Sequence, residues 1–229
     1  MTHEIELHIL KIFMYKKDLT YNQILDKKYP SNKFNYHLQK LIDEEIISKE
    51  KQNYKLTPKG TQILSSLDGQ TLKQKRNPIV CCFILAVKDN KILINKRLKQ
   101  PFIDYIGIPG GKLDLGNNLR TQAKEELLDE TGLYGELDLK VISNYVTFEK
   151  DEIAHHVVAF TYIATNIQGE LKKIHREGEN FWIKKEELKN YQVYPDIPKL
   201  VNLCFKEGIH QISAKRFTEE GKFTGIEFE

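Results

Sequence analysis

The clearest candidates for chemistry are three carboxylates near the middle of the chain. Glu126, Asp129 and Glu130 stand at spacing i, i+3 and i+4 in a segment, residues 118–131, whose pattern predicts a helix that ends at Gly132. The three side chains therefore share one helix face. Neighbouring carboxylates raise each other's pKa, and a divalent cation that prefers oxygen ligands, such as Mg²⁺, neutralises such a group. Solvated helix faces also carry carboxylates, so the spacing alone does not separate a metal site from an ordinary surface.

The residues around the predicted helix strengthen the first interpretation. A glycine loop, Pro109-Gly110-Gly111-Lys112, precedes the helix, and residues 111–133 resemble the Nudix box. The matching positions are the first glycine of the box, the glutamate after its arginine, the next apolar residue, the paired acidic residues and the closing glycine with its apolar neighbour: Gly111, Glu126, Leu127, Asp129, Glu130, Gly132 and Leu133.

Two positions depart from this box. Asn117 stands where the first glutamate is expected, and Glu125 stands where the arginine is expected. Lys124 lies one residue away on a different helix azimuth, so it is not a simple replacement. Glu125 also adds a negative charge four residues before Asp129, where like charges repel. We expect metal binding to persist, and hydrolysis to be detectable but slow, because a misplacement of ~1 Å costs on the order of 100-fold in rate.

The resemblance covers about residues 78–205 and implies both a fold and an activity. The fold is α/β, a Nudix-type α/β/α sandwich with a mixed sheet. The activity is attack of water on a phosphorus atom of a nucleoside diphosphate linked to another moiety. It implies Mg²⁺ or Mn²⁺ as cofactor, with Glu126, Asp129 and Glu130 as metal ligands.

Further site residues follow from the same resemblance. The family often draws a fourth carboxylate, a metal ligand or base, from a late acidic loop. The glycines allow a tight loop beside the substrate, and nearby cations could contact phosphate, although ordinary surface charge explains those cations equally well. The candidates are, for catalysis, Glu126, Glu130, Glu177 and Glu179 and, for substrate binding, Gly110, Gly111, Arg97 and Lys112.

The front of the chain predicts three helices followed by a hairpin. Apolar residues at three- and four-residue steps, beginning with Ile5 and Ile9, indicate the first helix, and Thr20 can cap a short second one. A third helix begins near Ser31, and two short β-like pieces, residues 46–50 and 54–57, follow it. This order resembles the winged helix-turn-helix domains of bacterial and archaeal regulators.

The third helix carries polar residues that suit duplex DNA. A recognition helix needs side chains that reach base edges and cations that neutralise phosphates. The candidates are Lys33, Asn35, Tyr36, Gln39 and Lys40. The alternative is a solvated face on a dimerisation or docking module, and a dimerisation module would make the protein a homodimer.

Length and charge indicate two domains. The chain has 229 residues and a net charge of +3, and its front is modestly basic whereas the rest is slightly acidic. A polar stretch that ends at Pro78 has the composition of a linker. We predict a winged helix-turn-helix domain over 1–68, a linker over 69–78, a Nudix domain over 79–205, and a C-terminal extension over 206–229 that could form a β-hairpin.

Composition also restricts location and partners. The sequence has no apolar run long enough for a membrane helix and no secretory signal, so we expect a cytoplasmic protein without a membrane partner. Its three cysteines are expected to be small buried hydrophobes. Two functions stay open. One is a Mg²⁺-dependent hydrolase of a nucleotide-derived small molecule, and the other is a transcriptional regulator that senses such a molecule without efficient turnover.

Overall fold

The computed structural model describes residues 3–71 and 73–229, which form two compact units divided between Arg76 and Asn77. Met1 and Thr2 of the predicted domain 1–68, and Leu72 of the predicted linker 69–78, lie outside the described residues. Within those two ranges, every helix is too short or too polar to cross a membrane.

The first unit combines four helices with a small sheet in the order β1-β3-β2. Ile9, Phe34 and Leu41 are fully buried in its core, which explains the apolar stripes of the first and third helices. The three helices and the hairpin that the sequence predicts are present, and a further helix follows the hairpin. The helices α1–α4 span Glu4–Phe13, Tyr21–Ile24, Ser31–Asp43 and Pro58–Ser65, and the strands β1–β3 span Leu19–Thr20, Ile47–Glu50 and Asn53–Leu56.

The second unit is a mixed sheet with helices. The strands β4–β12 span Ile79–Lys88, Lys91–Arg97, Ile106–Gly107, Gly110–Lys112, Leu133–Glu149, Glu152–Gly169, Gly178–Ile183, His210–Glu219 and Lys222–Phe228. Helices α5 and α6 span Leu119–Thr131 and Ile197–Cys204, and a 3₁₀ helix spans Lys185–Asn190. The main strand order is β10-β5-β4-β9-β8-β11-β12, and the short strands β6 and β7 pair with β5 and β4.

Alternation along the central strand β4 places a hydrophobic core on each face of this sheet. Ile84 and Ala86 belong to the cluster that contains Leu127 of α5, whereas Leu85 belongs to the cluster that contains Leu200 of α6. Successive strand residues point to opposite faces, so one strand supports both helices. The sheet is mixed because β4 is parallel to β9 and β8 is parallel to β11, whereas β8 and β9 are antiparallel.

The last strands belong to the same sheet. Strand β11 pairs in parallel with β8 from His210 to Thr218, and β12 pairs antiparallel with β11. The segment over 206–229 therefore includes a hairpin, and this hairpin extends the sheet of the second unit. Its position brings side chains of β11 towards the interior of that unit.

Candidate active site

Helix α5 holds the acidic residues against the glycine loop. It begins after Asn118, whose side chain accepts a hydrogen bond from the Thr121 amide at 2.8 Å, and it ends at Gly132 with φ of 73°. Glycine leaves necessary space at two positions of the loop. A Cβ on Gly111 would collide with the Glu126 carboxylate, and Gly110 has φ of 146° with its missing Cβ directed at the backbone of β4.

Glu130 is a half-buried carboxyl group in this contact. The Gly110 amide donates a hydrogen bond to its Oε2 at 3.0 Å. Burial raises the pKa of Glu130 to about 7, and the nearby charges of Glu126 and Glu177 act in the same direction. Burial also raises the pKa of Glu126, against the hydrogen bond that Gln122 donates to it. The pKa of each of these two carboxyl groups is therefore raised, as expected where a cation would neutralise them.

Most of the predicted residues line one open cavity of about 810 Å³. Its walls come from the glycine loop, α5, the end of β5 and the loop before β10. The predicted residues on these walls are Arg97, Gly110, Gly111, Lys112, Glu126, Asp129, Glu130 and Glu177. The structure thus brings together residues that lie as far apart in sequence as Arg97 and Glu177.

Glu179 is absent from the walls of this cavity. It is exposed on β10 opposite Lys96, whereas the next residue, Asn180, is buried and donates a hydrogen bond to the Glu130 carbonyl at 2.9 Å. Neighbouring strand residues point to opposite faces, so Glu179 faces away from the site that Asn180 supports. Of the two carboxylates considered in this region, Glu177 is the one that faces the cavity.

Glu177 is held by two cations. Lys99 and Arg176 both form ion pairs with its Oε1, the latter at 3.1 Å. The hydrogen bond from Lys99, assisted by Arg176, lowers the pKa of Glu177 below its usual range, so this carboxylate stays ionised. Sequence reasoning missed Lys99, because nothing in its local pattern separates it from neighbouring surface lysines.

A hydrogen-bond network connects the two positions that depart from the box. The Asn117 side-chain amide donates to Glu125 at 2.8 Å and to Gln122 Oε1 at 3.0 Å, and Gln122 Nε2 donates to Glu126 Oε1 at 3.1 Å. Gln122 is 5% exposed, and its Oε1 also accepts from the Asp114 amide at 3.2 Å. Neutral amides therefore link positions 117 and 125 and contact Glu126. Gln122 was missed because its role depends on the loop before the helix.

The two predicted phosphate contacts differ in their availability. The Arg97 guanidinium donates to the Pro101 carbonyl at 2.6 Å, so part of its donor capacity orders the loop after β5. Lys112 is exposed on the cavity wall. Of these two predicted contacts, Lys112 is therefore the more available to an anionic ligand.

The site fits a divalent cation by the chemistry of its oxygen donors. Four carboxylates line the same cavity: Glu126, Asp129, Glu130 and Glu177. Glu130 is half-buried and has the negative charges of Glu126 and Glu177 nearby. Across residues 3–71 and 73–229, no three His, Cys, Asp or Glu side chains converge closely enough to be a ready-made metal site. The predicted ligand set, of which Asp129 is the exposed member, therefore requires side-chain movement to enclose an ion.

The predicted DNA-contacting residues lie on α3 of the first unit. Lys33, Asn35, Tyr36 and Gln39 are exposed, whereas Phe34 and Leu38 are buried on the other face. Lys40 is engaged differently. Its ammonium group lies 2.9 Å from a carboxylate oxygen of Glu6, which is 0% exposed, so its charge is already paired within the unit.

Comparison with known proteins gives consistent results for the second unit. Residues 75–204 match the model of the NUDIX domain. An ADP-ribose pyrophosphatase of Methanocaldococcus jannaschii is 30% identical over 111 residues, which are 48% of this chain and 64% of that relative, a little under two thirds of its length. An 8-oxo-dGTP diphosphatase of Haemophilus influenzae is 28% identical over 130 residues, which are 56% of this chain and 91% of that relative.

A solved structure supports the fold. The MutT protein of Bacillus halodurans superposes with a TM-score of 0.55 at 20% identity, over 66% of this chain and 97% of that chain. At this identity the likeness shows the fold alone, an α/β fold with a curled mixed sheet.

Proposed function

The chain belongs to the NUDIX family, and from that membership we propose that it is a divalent-metal-dependent hydrolase. Its substrate is a nucleoside diphosphate linked to another moiety, and the bond cleaved lies in the pyrophosphate. The observation that carries this proposal is that Glu126, Glu130 and Glu177 line one cavity beside the glycine loop. Carboxylates in this setting are costly unless a cation joins them.

Each side chain has a distinct task in this proposal. Glu126, Asp129 and Glu130 would hold Mg²⁺ or Mn²⁺. The bound ion would neutralise the pyrophosphate and lower the pKa of the attacking water. Glu177 stays ionised beside Lys99 and is the fourth carboxylate, placed to accept a proton. Lys112, on the wall of the same cavity, would contact the phosphates, and Gly111 leaves space for Glu126.

The network through Gln122 supports retention of catalysis. An arginine–glutamate pair is missing at positions 117 and 125, but Asn117 and Gln122 provide three hydrogen bonds in the same region. Outer partners of this kind orient ligating carboxylates. We therefore assign Gln122 the positioning of Glu126, and we expect slower turnover than an ion-paired site would give, without its loss.

The direct test is steady-state turnover across several substrate classes with and without Mg²⁺. The panel contains nucleotide sugars, ADP-ribose, dinucleoside polyphosphates and nucleoside triphosphates; ADP-ribose is included because a relative is named for its cleavage. We expect cleavage of at least one class that stops when EDTA removes the metal. No turnover of any class, together with tight ligand binding that changes DNA affinity, would favour the regulator instead.

A second proposal concerns DNA binding by the first unit as a winged helix-turn-helix domain. It is supported by the exposed row of Lys33, Asn35, Tyr36 and Gln39 on α3. Contacts from lysine to phosphate release counterions, so affinity should fall steeply with salt. Lys33→Ala should weaken binding to all sequences, whereas Gln39→Ala should blur sequence preference. Absence of duplex affinity even at low salt would leave this unit as a dimerisation or docking module.

A further inference from the structure

A second cavity of about 260 Å³ adjoins the acidic one in the second unit. The two share wall residues, among them Phe83, Gly110, Glu130 and Glu177, so one ligand can extend across both. We propose that this second cavity, completed by Arg216 of β11, selects nucleobases that carry a lactam edge, an N–H beside a carbonyl oxygen. This deepens the proposed function, on which it rests, by naming the base class of the substrate.

The cavity has aromatic walls that suit a planar ring. Phe102 and Tyr194 both line it, with their ring centroids 5.8 Å apart. Phe223 of β12 stacks on Phe102 at 4.5 Å, so the terminal hairpin supports this wall from behind. A flat heteroaromatic group gains both apolar burial and ring contacts in such a place.

The polar end of the cavity is a built and deeply buried cluster. The Arg216 guanidinium lies 2.7 Å from Asp196 Oδ1 and 3.8 Å above the Tyr145 ring. Asp196 is 3% exposed and Tyr145 is 2% exposed. Among the described residues, three polar atoms of the cluster, Tyr145 Oη, Arg216 Nε and Asp196 Oδ1, are buried without a hydrogen-bond partner of good geometry. Buried donors of this kind are expensive unless a ligand satisfies them.

The unused donors and the carboxylate define the chemistry of the ligand. Arg216 Nε and Tyr145 Oη can both donate, so they favour an acceptor with two lone pairs, which a carbonyl oxygen has and a ring nitrogen has not. Asp196 accepts from an adjacent N–H. Guanine, hypoxanthine and uracil present this N–H and carbonyl side by side, whereas adenine has no carbonyl and cytosine has no ring N–H.

Arg216 also lies outside the residues that match the family model, which end at 204. It reaches the cavity because β11 pairs in parallel with β8, the strand that carries Tyr145. The terminal hairpin thus contributes a specificity-determining residue, in addition to extending the sheet.

The test measures binding of nucleoside monophosphates, which have no pyrophosphate to cleave. Calorimetry on the full chain compares GMP, IMP and UMP with AMP and CMP, for the natural sequence, Arg216→Gln and the control Lys215→Gln. Lys215 is the strand neighbour of Arg216, points to the opposite face and forms an ion pair with Glu229. Its replacement therefore also removes one positive charge, but at a position outside the cavity. Melting temperatures of the variants show whether the fold persists.

We expect the natural sequence to bind the three lactam nucleotides about 10- to 100-fold more tightly than AMP and CMP, the range for hydrogen bonds to a charged donor. Arg216→Gln should remove that preference and leave AMP affinity within about threefold, whereas Lys215→Gln should keep the preference. Equal binding of all five nucleotides by the natural sequence would overturn the proposal, whether or not Arg216→Gln folds. Base-selective binding without any turnover would instead refute the hydrolase and leave the pocket standing.

Discussion

Replacement of Gln122 by methionine tests whether the amide network positions Glu126. Methionine has a similar volume but neither donates nor accepts strongly. It would remove the bond to Glu126 at 3.1 Å and the bonds from the Asp114 amide at 3.2 Å and from Asn117 at 3.0 Å. The Glu126 carboxylate would then keep its place beside Gly111 without a donor to fix its rotation.

The magnitude follows from these contacts. A hydrogen bond to a charged group contributes about 1.5–3 kcal/mol, and contacts above 3 Å at a half-buried carboxylate belong at the lower end. A loss of about 1.4 kcal/mol changes an equilibrium constant tenfold. Removing a residue that hydrogen-bonds to a metal ligand reduces metal affinity or activity about 10- to 100-fold. We therefore expect Gln122→Met to lower Mg²⁺ affinity at least tenfold.

The assay is Mg²⁺ titration by calorimetry, followed by turnover at saturating Mg²⁺. The matched control is Glu125→Gln on the same helix, which removes a charge but still accepts the hydrogen bond from Asn117. We expect this control to stay within about twofold of the natural sequence, since exposed charges interact weakly. If Gln122→Met matched the natural sequence in both Mg²⁺ affinity and turnover, the network would have no positioning role.

Three further outcomes follow from the same geometry. Because the pKa of Glu130 is raised to about 7, the metal-free protein should lose stability as the pH rises from about 4.5 to about 7. In urea denaturation with EDTA, Glu130→Gln should therefore be more stable than the natural sequence by about 1–3 kcal/mol at pH 8, but not at pH 4.5. Gly111→Ala should lower kcat/KM about 10- to 100-fold through its collision with Glu126, whereas Gly69→Ala, where nothing lies within 4 Å, should have no effect. Burial raises the pKa of Glu6, but hydrogen bonds from Lys40 and His37 outweigh burial and lower it. Glu6→Gln should therefore reduce the free energy of unfolding by about 2–4 kcal/mol at pH 7, and that difference should vanish as the pH falls through the lowered pKa.

Local sequence signals were sufficient for the elements that carry the site. The helical spacing of Glu126 and Glu130 and the stop at Gly132 are short-range signals, and the helix forms over Leu119–Thr131, within the predicted bounds. The glycine pair was also predicted, and in the structure a Cβ on Gly111 would meet the Glu126 carboxylate, whereas a Cβ on Gly110 would meet the backbone of β4. The predictions about the fold were therefore confirmed where helical periodicity and turn residues determine the local structure.

Long-range contacts could not be predicted in this way. Lys99 meets Glu177 only because the end of β5 and the loop before β10 are neighbours in the sheet. Glu179 was an equal candidate in sequence, and only the strand register separates it from the cavity. Arg216 reaches Asp196 because β11 joins β8 in parallel, a pairing that no local pattern specifies.

The most direct test of the central claim compares two glutamate variants in one time course. Phosphorus NMR follows the best substrate of the panel at saturating Mg²⁺ with the natural sequence, Glu130→Gln and Glu179→Gln. We predict that Glu130→Gln is slower by about 100-fold or more, because a carboxylate in the cavity is lost, and that Glu179→Gln keeps its rate, because that residue faces away from the cavity. Equal rates for Glu130→Gln and the natural sequence would contradict the assignment of the active site.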